Sequence, residues 1–112
     1  DLVAAFRATL EEIEAAELLL LVLDAGAENV AETYDVIVGT LSDIGCLNIP
    51  RVVVLNKEDL VSEGDMAALS LRFRAMGEET VSLSALRSEG FDVLLEAVEQ
   101  ELAAQNAWYV RY

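Results

Sequence analysis

The sequence contains no histidine and a single cysteine, Cys46. The first absence removes the commonest general base and metal ligand, and the second excludes an intramolecular disulfide. Basic residues are scarce, 7 against 21 acidic ones for a formal charge of −14, which argues against an autonomous nucleic-acid surface. There is one proline and no low-complexity linker, so 112 residues are read as one domain with one core. Long apolar runs are missing too. Leu18 to Leu23 is too short to span a bilayer, and the N-terminus lacks the basic, apolar, small-residue order of an export signal. Neither membrane insertion nor export is indicated, and a cytoplasmic setting is expected. What is abundant is apolar side chain, 54% of residues, which suits a compact fold rather than a disordered chain.

The apolar residues change period along the chain. Val3, Phe6, Leu10 and Ile13 recur at helical spacing, predicting an amphipathic helix from about residue 2 to 16. Leu18 to Leu23 then reads as a buried strand, and Val30, Tyr34, Ile37, Leu41 and Ile44 as a second helix stopped by Gly45. Met66, Leu69, Phe73 and Met76 line a third helix, closed by Gly77 and followed by a strand from Glu78 to Leu83; the methionines are read as core filling. Phe91, Leu94, Leu95, Val98 and Leu102 mark the last helix. Strand-helix alternation predicts right-handed crossovers and a three-layer α/β domain, a parallel sheet of three strands flanked by helices. Residues 106–112, with Trp108, Tyr109 and Tyr112, read as a separate aromatic tail that forms a strand or docking segment.

The chain is organised around Arg51 to Leu60. Val52-Val53-Val54-Leu55 is a continuous apolar run, as in a strand buried on both faces. Polar chemistry begins where it ends. Asn56-Lys57-Glu58-Asp59 has the form N-K-x-D and stands just beyond the carboxyl end of a strand, where α/β folds bind ligands. The spacing suits guanine, whose N1–H and exocyclic N2 can both donate to one carboxylate, here that of Asp59. Adenine does not offer that pair of donors. Lys57 can cover a base face and Asn56 can brace the loop. The structural alternative is that Asn56 and Asp59 only end the strand and cap the next helix. Asp24, also at a strand end, is a weaker candidate because the companion acidic pair of phosphoacceptor domains is missing, and Cys46 is read as packing.

One strand-helix unit later, Ser84-Ala85-Leu86 has the form S-A-[LK], followed by Gly90-Phe91-Asp92-Val93-Leu94-Leu95. With N-K-x-D this resembles the second half of the G domain of HflX-type, ribosome-associated GTPases, over residues 1 to about 105. The segment from Asp1 to Glu12 is similar to the helix after switch II in that family, and Leu18 to Asp24 to its next strand. The resemblance implies a partial P-loop GTPase, Rossmann-like fold, with the Ala85 N–H directed to guanine O6 and Ser84 holding the Ser84–Leu86 loop. For an intact parent it implies GTP binding and hydrolysis with Mg²⁺, in association with ribosomes.

Half of the family's motifs have no counterpart. None of the six glycines precedes a lysine, and no aspartate has glycine three positions later, so neither G-x-x-x-x-G-K-[ST] nor D-x-x-G occurs. Those motifs cradle the phosphates, hold Mg²⁺ and orient the attacking water. The expectation is a guanine half-site without catalytic or metal-ligating residues. Its affinity for GTP or GDP should be absent or on the order of millimolar. The family's P-loop strand would cover the Leu18–Leu23 edge. Without it, the edge is expected to pair with a second copy of the chain, an exchanged segment or the aromatic tail. A homodimer is the first choice. Two alternatives remain open: a non-enzymatic scaffold or oligomerisation module retaining the motifs as turns, and a separate chain supplying the P-loop half.

Overall fold

The computed structural model describes residues 2–56, 61–84 and 88–111, with side chains described from residue 8 to residue 103. Among the described residues four helices and three strands alternate: α1 Leu2–Ala15, β1 Leu19–Asp24, α2 Val30–Asp43, β2 Arg51–Asn56, α3 Glu63–Ala75, β3 Glu79–Leu83 and α4 Phe91–Arg111. The strands form one parallel sheet in the order β1-β2-β3, with Leu20 opposite Val52, Val22 opposite Val54, and Val54 opposite Val81. This is the expected three-layer α/β architecture.

The central position of β2 explains its composition. Val52, Val53, Val54 and Leu55 are all buried, because successive side chains enter opposite faces and both faces are covered. On one face Val53 and Leu55 join Leu21, Leu23, Tyr34, Met66 and Phe73, bringing β1, β2, α2 and α3 into one core. On the other, Val52 and Val54 meet Val81, Leu83 and Ala97 beneath α4. Burying a side chain such as Phe73 contributes roughly 2–3 kcal/mol. The second face is unevenly covered. Leu20 and Val22 of β1 share it with Val52 and Val54, yet they are 45% and 63% exposed.

The ends of α3 follow from local chemistry. Ser62 caps its first turn, accepting from the Asp65 N–H at 3.1 Å, with Glu63 and Asp65 at the positive end of the dipole and Arg72 and Arg74 at the negative end. At its far end Gly77 takes a positive φ and the Glu78 N–H reaches back to the Phe73 carbonyl. This turn delivers Glu78 into the interior.

The tail differs from expectation. Residues 106–111 continue α4 to Arg111 rather than starting a strand. No glycine or proline interrupts residues 91–111, and extending an existing helix adds one hydrogen bond per residue, which outweighs the modest strand preference of Trp108, Tyr109 and Val110.

Candidate functional site

All three strands are parallel, so their carboxyl ends emerge on one side. Asp24, Asn56 and Leu83 terminate them, with Asp24 opposite Asn56 and Asn56 opposite Leu83. Asn56 is half-buried, and its carbonyl accepts the Ala25 N–H at 2.9 Å, tying the first two strand ends together. Ser84 follows directly on β3 and is 3% exposed. Its backbone is paired with Glu89: Ser84 N–H to Glu89 O at 2.8 Å and Glu89 N–H to Ser84 O at 3.0 Å. The two motifs therefore leave adjacent, hydrogen-bonded strands side by side. Lys57, Asp59, Ala85 and Leu86 lie outside the described residues.

Two alternative roles can be checked. The helix after N-K-x-D is capped by Ser62, so the capping duty that Asp59 had as a purely structural residue is performed by another side chain. Asp24 accepts the Gly26 N–H through Oδ1 at 2.9 Å, a local turn at the strand end. Among the described residues no group of three His, Cys, Asp or Glu side chains is placed to hold a metal ion, and no helix is long and apolar enough to cross a membrane. Cys46 is buried.

Behind the Ser84 loop, α3 and β3 enclose a groove of about 380 Å³, with Met66, Ala67 and Leu83 as apolar lining and Ser70, Ser82 and Ser84 as hydroxyls. Ser70 and Ser82 share a hydrogen bond at 3.0 Å. The pairing of Glu89 with Ser84 is not marked in the sequence, where only Gly90, next to it, stands out in the run after Ser84-Ala85-Leu86.

At the opposite end of the sheet polar groups pair with one another. Arg51 opens β2, Glu78 precedes β3, and Tyr34 reaches them from α2. Glu78 Oε2 accepts from Tyr34 OH at 2.5 Å and from Arg51 Nε at 2.8 Å. Burial pushes the Tyr34 phenol above its ordinary value, and the hydrogen bond and charge of Glu78 act in the same direction. Burial pulls the Arg51 guanidinium down, but the bond and charge of Glu78 outweigh it and the net shift is upward.

No family model matches the chain. Among curated proteins, the GTPase HflX of Caldanaerobacter subterraneus is 39% identical over 105 residues, covering 91% of this chain and 22% of that protein. The GTPase HflX of Escherichia coli is 36% identical over 107 residues, 96% of this chain and 25% of its own length. The chain is of HflX type. It spans about a quarter of the length of these curated relatives. A GTPase Obg of Prochlorococcus marinus is also similar, at 32% identity over 96 residues, 83% of this chain and 29% of that protein. The HflX-type segment is thus similar to more than one kind of GTPase.

Proposed function

We propose that this HflX-type chain is the base-recognition half of a GTP-binding domain. Asp59 receives guanine N1–H and N2, Asn56 braces the loop, Lys57 covers the base, and Ser84, Ala85 and Leu86 form the O6 side. The observation that carries this reading is the emergence of Asn56 and Ser84 from neighbouring parallel strands at one end of the sheet. Capping of α3 by Ser62 supports it, since Asp59 is then not needed for the cap. With no phosphate loop or switch II motif in the sequence, the chain alone binds GTP or GDP weakly and does not hydrolyse GTP. In an intact parent the same segment serves GTP hydrolysis with Mg²⁺, linked to ribosomes in the cytoplasm, while this acidic chain makes no direct nucleic-acid contact. Titrating the chain with GDP and ADP, with and without Mg²⁺, tests the reading. Weak, guanine-preferring, Mg²⁺-independent binding that Asp59→Ala abolishes is expected. Equal binding of ADP, or an unaffected variant, overturns it.

A second reading is favoured by the exposure of Leu20 and Val22 on the outer strand β1. There the chain is an assembly module that dimerises through residues 18–23 and keeps the motifs as turns. Sedimentation of the chain beside Val22→Lys separates the readings: a dimer converted to monomer supports assembly, and a monomer in both excludes it.

A further inference from the structure

We propose that Gly90 is a positioning residue for guanine recognition, acting through the paired backbone of Ser84 and Glu89. The proposal rests on the guanine reading above and adds a residue that does not touch the base. Gly90 has φ +87°, and a Cβ there would lie 2.5 Å from the Ser82 carbonyl oxygen, 2.8 Å from Leu83 Cα and 2.9 Å from Leu83 Cβ. These atoms belong to the backbone and side-chain root of β3, which cannot swing aside as the end of a flexible side chain would. Only glycine permits this approach.

The close approach has two consequences on either side of Gly90. Its carbonyl accepts the Leu94 N–H at 3.1 Å and so starts α4. Immediately before it, Glu89 is held against Ser84 by two backbone hydrogen bonds. Ser88, between them and the loop, has φ 54°, a conformation that non-glycine residues seldom adopt and that persists only where neighbouring contacts impose it. Ser84 is therefore held against Glu89, and Gly90 against the end of β3. A backbone N–H that selects guanine O6 must be aimed before the base arrives, because ordering the loop on binding would consume the small free energy that one hydrogen bond supplies.

The test compares Gly90→Ala, Glu89→Pro and Ser88→Gly with the original chain by amide NMR titration against three probes. GDP is the reference, IDP lacks the N2 donor, and 2,6-diaminopurine riboside 5′-diphosphate replaces O6 with an amine and removes N1–H. Gly90→Ala is expected to lower the GDP preference over the diaminopurine nucleotide roughly fivefold, about one hydrogen bond. It should leave the GDP preference over IDP, read by Asp59, unchanged. Glu89→Pro removes the N–H donated to Ser84 and should do the same without steric conflict at Gly90, so it carries the comparison if Gly90→Ala does not fold. Ser88→Gly should preserve both preferences. A folded Gly90→Ala or Glu89→Pro that keeps the diaminopurine discrimination overturns the proposal, as does a parallel loss against IDP. If the original chain does not distinguish GDP from either analogue, the guanine reading fails and no base remains for Gly90 to position, which also overturns the proposal. Amide exchange at Ser84, whose N–H is donated to the carbonyl of residue 89, separates the two failures, because protection that both variants lose shows the Ser84–Glu89 pairing fixed by Gly90 without a guanine.

Discussion

The two ends of the sheet are built from the same strands and carry opposite kinds of chemistry. At the amino ends, Arg51, Glu78 and Tyr34 turn their polar atoms on one another, and among the described residues no buried side-chain nitrogen or oxygen lacks a partner. At the carboxyl ends, Asp24 accepts the Gly26 N–H, the Asn56 carbonyl accepts the Ala25 N–H, and Ser84 pairs with Glu89, where the two motifs leave the sheet. A polar group satisfied inside the fold contributes to holding it together, and α/β folds bind ligands beyond the carboxyl ends of their strands. The comparison predicts that substitutions at the first end change stability and spare recognition, while those at the second do the reverse.

The largest break is expected beneath the amino ends. Phe73 is fully buried and packs edge-on to Tyr34 with ring centroids 4.9 Å apart. Phe73→Ala should destabilise by about 3–5 kcal/mol, measured by urea unfolding. Arg51→Met follows, because it leaves the Glu78 carboxylate buried with Tyr34 alone. A loss of about 3 kcal/mol is expected, with guanine preference retained in the folded fraction. Loss of preference without loss of stability would invert the assignment of the two ends.

Tyr34→Phe removes one bond to Glu78, and a loss of about 1–2 kcal/mol is expected near neutral pH. Its sharper signature is in pH. The folded phenol has a raised pKa relative to the unfolded chain, so the folded state retains its proton longer. The associated stability is fully present below about pH 10 and is lost as pH rises through the folded value. Unfolding curves at increasing alkaline pH should converge for the original chain and Tyr34→Phe. A constant separation would contradict the linkage. Ser62→Ala should cost about 1 kcal/mol by uncapping α3. Asp59→Ala should change stability least, within about 0.5 kcal/mol, while abolishing base preference.

These expectations also mark what could be read before the fold was known. The unbroken Val52–Leu55 run specified a strand covered on both faces, and Gly77 specified the end of α3, because both signals are local. The Arg51–Glu78–Tyr34 contact joins residues 27 and 44 positions apart, and nothing local marks Glu78 as buried rather than as one more acidic surface residue. The same holds for Gly90: its spacing opens a helix, but the obstruction by Ser82 and Leu83 exists only once β3 is in place. For the tail, local aromatic preference points to a strand, and the uninterrupted helix that precedes it outweighs that preference.

An amide chemical-shift map of the chain titrated with GDP tests the contrast between the two ends most directly. The account predicts changes at Asp24 to Gly26, at Asn56 and from Ser84 to Gly90, with Arg51 and Glu78 unmoved. Changes centred instead on the cavity of about 390 Å³ at the other end, lined by Asn48, Arg51, Glu78 and Glu79, would contradict it.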